Sequence, residues 1–103
     1  MTDLTQQEWL EQLSKDDNSI ILDVRTEDEV AEGYIPNAIN IDVKEPQAFL
    51  DKVNEFDKTK NYYVYCRSGA RSTQACAVMN QMCNIPNTYN LIGGFMAWEG
   101  EVA

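Results

Sequence analysis

The amino-acid sequence predicts an α/β fold, a small parallel β-sheet of about four to five strands flanked by helices on both faces. Three observations carry this expectation. Short β-branched or aromatic runs alternate with segments whose apolar residues recur at helical spacing, the order that builds parallel sheets. The chain of 103 residues suits one domain. No Gly/Ser/Pro-rich linker, repeat or low-complexity tract divides it, so residues 1–103 are read as a single domain.

The elements follow in order. Thr5 and Glu8 write a capping box, and Leu4 with Trp9 forms a hydrophobic staple across it. Trp9, Leu10 and Leu13 then mark one helical face, with the helix ending near Asp17-Asn18. Ile20 to Val24 reads as a buried strand. Thr26 to Glu29 opens a brief helix whose acids complement the helix dipole, and Gly33 stops it. Ala38 to Val43 is expected as a second strand. Pro46 starts a helix carrying Phe49, Leu50, Val53 and Phe56. Tyr62 to Tyr65 forms a third strand ending at Cys66. Beyond the loop from Arg67 to Arg71, the residues Ala75, Cys76, Met79, Met82 and Cys83 recur at helical spacing. Pro86-Asn87 turns the chain into a fourth strand, Thr88 to Ile92. Gly93-Gly94 precedes a short helix through Trp98.

Charge and composition exclude several function classes. Seventeen acids against eight bases give a net charge of −9. Nucleic acid and anionic membranes both seek basic faces, so neither is an expected partner. The acids at Glu8, Glu11, Asp16, Asp17, Glu27, Asp28 and Glu29 read as a solvated surface. Apolar runs such as Ile20-Ile21-Leu22 fall far short of the roughly 20 residues of a membrane span. Met1-Thr2-Asp3-Leu4 lacks the basic and apolar stretches of a signal peptide, and a cytoplasmic location is expected. Histidine is absent, which removes His-based triads, His metal ligands and imidazole acid–base catalysis. Cys66, Cys76 and Cys83 form no Cys-x-x-Cys pair, so no metal site is expected, and reduced thiols are the default.

The chemistry concentrates in Cys66-Arg67-Ser68-Gly69-Ala70-Arg71. A cysteine before a helix N-terminus feels the positive end of the dipole, and two arginines add formal charge. Such surroundings bring a thiol pKa from about 8.5 into the range of roughly 3.5–7.5. Gly69, with the small Ser68 and Ala70, lets several backbone N–H groups converge on the sulfur as an anion cradle. Arg67 and Arg71 can supply fork-shaped donors to an oxyanion. Cys76 and Cys83, seven apart on the apolar face of the next helix, read as core.

This loop resembles the active-site loop of the rhodanese (thiosulfate sulfurtransferase) family in its single-domain form. Three further segments agree in order and spacing. Asp23-Val24-Arg25 with Glu29, followed by Gly33-Tyr34-Ile35-Pro36-Asn37-Ala38, is similar to the family's first signature. Gly93-Gly94-Phe95-Met96-Ala97-Trp98 is similar to its C-terminal one. Tyr34 and Asn37 stand where the family commonly has histidine and glycine.

The resemblance implies a rhodanese-like fold and sulfane-sulfur transfer by a ping-pong route, with no cofactor and no metal. Cys66 would attack the outer sulfur of thiosulfate or a related donor, expel sulfite and become a persulfide. Arg67, Ser68, Gly69, Ala70 and Arg71 would bind the substrate and hold the terminal sulfur. A thiol, cyanide or a thioredoxin-like protein would then take it. Arg67 is expected to face solvent and attract anionic donors, while Arg71 stands open between bonding loop carbonyls and binding substrate. Asp23 and Arg25 read as structural, with Glu29 the expected partner of Arg25.

Two rivals remain. A cysteine phosphatase or arsenate reductase would carry Cys-x5-Arg, one residue longer than Cys66 to Arg71, and no obvious acid lies near the loop to protonate a leaving group. A non-turnover sulfur-carrier or binding module would use the same fold and loop. A monomer is expected, since a protein acceptor must reach Cys66.

Overall fold

The computed structural model describes all residues from Met1 to Ala103. Five strands, β1 (Thr2–Leu4), β2 (Ser19–Asp23), β3 (Ile39–Asn40), β4 (Asn61–Tyr65) and β5 (Thr88–Leu91), lie in the order β1-β5-β4-β2-β3. Every neighbouring pair is parallel. The helices are α1 (Gln6–Ser14), α2 (Glu27–Ala31), α3 (Pro46–Asn54) and α4 (Ala70–Met82), with a closing 3₁₀ turn at Phe95–Ala97.

Alternation along β4 divides its side chains between two cores. Tyr62, Val64 and Cys66 join Phe49 and Val53 of α3 and Ala75, Cys76 and Met79 of α4. Tyr63 and Tyr65 point the other way, into a cluster with Trp9 of α1, Ile35 and Leu91. Tyr62 through Cys66 are all fully buried, as a central strand covered on both faces must be.

Local signals set the helix starts. Both bonds of the Thr5/Glu8 capping box form, and Thr26/Glu29 makes a second one at the head of α2. Leu4 packs against the cluster of Trp9, completing the staple. Pro46 opens α3.

Tertiary contacts move several boundaries. β1 is absent from the sequence expectation because three half-polar residues carry no alternation; it forms by pairing with β5, Asp3 opposite Asn90. The first helix ends at Ser14, short of Asp17-Asn18. Asp16 is engaged instead by the Tyr63 hydroxyl at 2.7 Å and by Asn61 Nδ2 at 2.9 Å. The strand expected over Ala38 to Val43 contracts to Ile39–Asn40. Its extension keeps ladder-like bonds from Ile41 N–H to Asp23 O and from Val43 N–H to Val24 O, at an edge with no second neighbour to regularise it. Leu10 and Met82, read as apolar-face residues, are exposed at 39% and 61% because each lies at the rim of its helix's buried stripe.

The aromatic core around Trp9 rests on three edge-to-face contacts, with Tyr63, Tyr65 and Trp98 at ring separations of 5.7, 6.4 and 5.7 Å. Trp9→Ala is expected to cost about 3–5 kcal/mol. The urea unfolding midpoint would show it, and a change below about 1 kcal/mol would contradict this account of the second core.

Candidate active site

Parallel sheets bind ligands beyond the carboxyl ends of their strands, where chain order reverses. Here that point lies between β2 and β4, the two strands whose following segments run to opposite sides of the sheet. Cys66 stands at the carboxyl end of β4, directly before the turn into α4. The turn depends on Gly69, which caps α4 with φ of +110° in the left-handed region. That conformation aims the Gly69 N–H at the Cys66 sulfur, 3.0 Å away. α4 begins at Ala70, so Arg71 belongs to its first turn rather than to the loop.

Cys66 is fully buried. Burial alone would push its pKa up, since a charged sulfur loses hydration. The Ser72 hydroxyl, 3.4 Å from Sγ, and the backbone N–H groups of Ser72, Gly69 and Ser68 outweigh that penalty and hold the thiol below its ordinary value. The other two cysteines lack this cradle. Burial pushes Cys76 up to about 12 and Cys83 upward too, so only Cys66 is prepared to ionise.

Around the sulfur, Arg67, Ser68 and Ala70 are exposed and Gly69 is half-buried. Arg67 makes no ion pair and borders a cleft of about 260 Å³ lined also by Arg25, Glu29, Glu32, Phe95 and Met96. Arg71, partly exposed, bonds no loop carbonyl. Its two terminal nitrogens fork onto Glu29 Oε1 and Oε2 at 2.7 and 2.8 Å. Glu29 is therefore the partner of Arg71, correcting the expected pairing with Arg25. The pair joins the segment after β2 to the helix after β4, across the point where the sheet reverses.

Arg25 is buried against Asp23 instead, with Nη2 to Oδ2 at 2.8 Å, and its Nη2 also donates to the Gly33 carbonyl. Its guanidinium lies 4.3 Å from the Phe95 ring centre. Phe95 in turn donates its N–H to the Cys66 carbonyl at 2.8 Å, and Met96 donates to the Arg67 carbonyl at 2.9 Å. This contact explains Gly94: a Cβ there would sit 2.5 Å from the Arg67 oxygen and 2.7 Å from the Cys66 oxygen. Tyr34 pairs by its backbone with Ala103, and Asn37 adopts a φ of +72°, which Asn tolerates better than most residues.

One carboxyl, Glu29, reaches the Cys66 loop through Arg71. The Arg71 hydrogen bonds, joined by the Thr26 cap, pull Glu29 down to about 2. A carboxylate held ionised in this way cannot protonate a leaving group near neutral pH, so the site offers phosphatase chemistry no general acid from Glu29. Sequence reading also passed over Ser72, Asn90 and Asp3, which line up behind the sulfur. A signal existed: Ser72 heads the buried stripe of Ala75, Cys76 and Met79, and Asn90 interrupts an apolar strand.

With this geometry in view, comparison with known proteins is direct. The rhodanese-like domain model matches residues 6–101, and the chain belongs to that family. It is 40% identical over 91 residues to YtwF of Bacillus subtilis, covering 88% of this chain and 84% of that one. The thiosulfate sulfurtransferase GlpE of Coxiella burnetii is 34% identical over 90 residues, covering 87% and 80%. A crystal structure of a rhodanese-like domain protein from Staphylococcus aureus superposes with a TM-score of 0.77 at 36% identity, covering 98% and 94%.

The Glu29–Arg71 pair makes stability depend on pH. Glu29 is lowered in the folded state from 4.5 to about 2. Its contribution is complete above the unfolded value and is lost as pH falls from 4.5 towards 2. Glu29→Gln is expected to flatten that part of the profile. Urea midpoints at about pH 3 and about pH 6 test this, and a wild-type slope in the variant would refute the assignment.

Proposed function

We propose that the protein transfers sulfane sulfur from thiosulfate or a related anionic donor to a thiol, cyanide or thioredoxin-like acceptor, through a persulfide on Cys66. The observation that carries this reading is the cradle around Cys66, a buried sulfur whose neighbouring donors all favour its charged form. Membership of the rhodanese-like family supports sulfur transfer in general.

The chemistry needs only groups present at the site. The Cys66 thiolate attacks the outer sulfur of thiosulfate, a new S–S bond forms, and the donor's S–S bond breaks with its electron pair leaving on sulfite. The proton of the thiol has already gone to solvent, and sulfite departs as an anion, so no general acid is required. The N–H groups from Arg67 to Arg71 receive the negative charge of the persulfide. An acceptor thiolate then attacks the terminal sulfur and returns Cys66 to its starting state.

Arg67, exposed and free of an ion pair, attracts the anionic donor electrostatically. Arg71, pinned by Glu29, fixes the first turn of α4 beside the cradle. We further propose a single domain acting as a cytoplasmic monomer, with nucleic acid and membranes outside its partners. No helix is long and apolar enough to cross a membrane.

Intact mass after incubation with thiosulfate should show a gain of one sulfur atom, reversed by dithiothreitol and absent in Cys66→Ser. Added sulfur in that variant would overturn the assignment of the nucleophile. Turnover with thiosulfate and cyanide marks an independent enzyme; labelling without turnover marks a sulfur carrier. Arg67→Ala is expected to raise KM for thiosulfate several-fold more than for a neutral persulfide donor, with kcat little changed. Equal effects on both donors would remove Arg67 from anion recognition.

A further inference from the structure

Ser72 carries one hydroxyl proton, and three acceptors surround it. Its Oγ lies 2.5 Å from Asn90 Oδ1, 3.1 Å from the Gly69 carbonyl and 3.4 Å from Cys66 Sγ. A hydroxyl donates once and accepts through its lone pairs, so these contacts compete for a single proton. The shortest is to Asn90.

The Asn90 amide is oriented from its far side. Its Nδ2 donates to Asp3 Oδ1 at 2.9 Å and lies 3.4 Å from Thr73 Oγ1. Turning the amide over would set Asn90 Oδ1 against the Asp3 carboxylate, two acceptors with no proton between them. Asp3 is there because the parallel register of β1 and β5 places it opposite Asn90. The amide oxygen therefore faces Ser72. Asn90 itself is 4% exposed, and a buried amide is costly unless it is bonded. Packing alone would be served by an apolar residue.

We propose that Asn90 is a positioning residue for Cys66, acting through Ser72 by competing with the sulfur for the one hydroxyl proton. While Cys66 is a thiol, Ser72 donates to Asn90 and accepts from the S–H. Once Cys66 ionises, the sulfur can only accept, and the charge-assisted bond draws the Ser72 proton towards it. Asn90 Oδ1 then loses its donor. That loss weighs against the thiolate, so Asn90 keeps the sulfur more basic than Ser72 and the loop alone would leave it. A more basic thiolate is also the stronger nucleophile.

Other charged or titratable groups act on this region without bonding Ser72 Oγ. Arg71 of α4, tied to Glu29 of α2, feels Cys66 and Asp42. Cys76, also on α4, feels Cys66, Asp3 and the Met1 ammonium. The inference rests on Cys66 being the reactive group, as proposed above, but its test does not require sulfur transfer.

The rate of Cys66 alkylation by iodoacetamide against pH, with the product located by peptide mass, reads the thiolate directly. Ser72→Ala is expected to raise the midpoint by about one pH unit, and Asn90→Leu to lower it by about half a unit, with a lower plateau rate. The double variant should match Ser72→Ala alone, because Asn90 has no route to the sulfur without the hydroxyl. An upward or absent shift in Asn90→Leu, or additive shifts in the double variant, would overturn the proposal. Should thermal melting show that Asn90→Leu does not fold, Asp3→Ala at the exposed edge frees the amide to turn and donate to Ser72. Its downward shift must also vanish in the Ser72→Ala background, and a shift that persists there refutes the coupling. A wild-type Cys66 with no thiolate-dependent reaction would instead reject the nucleophile itself, a separate failure.

Discussion

In the sulfur transfer proposed above, a buried sulfur has to carry a negative charge, and the groups around Cys66 are arranged to meet that requirement. An ion removed from water must find its solvation in the protein. Cys66 finds it in the backbone N–H groups of Ser68, Gly69 and Ser72, joined by the Ser72 hydroxyl. Backbone donors suit this task because the turn that presents them is itself rigid. They need no proton transfer and no reorganisation when charge appears. A chain without histidine can therefore run thiolate chemistry, provided its backbone is held in the one conformation that converges on the sulfur.

Holding that conformation is the work of the surrounding residues. Gly69 supplies a φ that side-chain-bearing residues rarely adopt. From above, the segment after β5 clamps the carbonyls of Cys66 and Arg67 through the N–H groups of Phe95 and Met96, an approach that only Gly94 allows. Phe95 is seated by the buried Arg25, which Asp23 and the Gly33 carbonyl hold in turn. From the side, Glu29 fixes Arg71. Asp23–Arg25 is buried and Glu29–Arg71 is not, so they serve differently. Losing one partner of the first would strand a charge in the core, whereas losing the second would release a half-exposed guanidinium into solvent.

Much of this was legible in the residues themselves. The capping box at Thr5, the acids that head the helix after Thr26 and the proline at position 46 are local, short-range devices, and α1, α2 and α3 begin where they say. The Cys66 loop was legible for the same reason: dipole, glycine and arginine all lie within six residues. Three features were not. β1 has no pattern of its own and exists by pairing across nearly the full length of the chain. Glu29 was assigned to the nearer arginine because sequence distance was the only guide, whereas the fold brings Arg71 to it across 42 positions. Asn90 and Asp3 were silent because their meaning arises from strand register.

What the sequence by itself determined is therefore the family, the fold class and the local grammar of its elements: a cysteine before a glycine turn, strands alternating with helices, and the absence of imidazole. What only the tertiary structure decided is which charges neutralise one another and which remain for a substrate. Arg25 is spent on Asp23, Arg71 on Glu29, and Arg67 alone is left without an ion pair beside the cleft. Residue type sets what a group can do within reach of its neighbours. Electrostatic and hydrogen-bond competition is settled by distance in space, over a few ångströms, and chain order does not specify that distance.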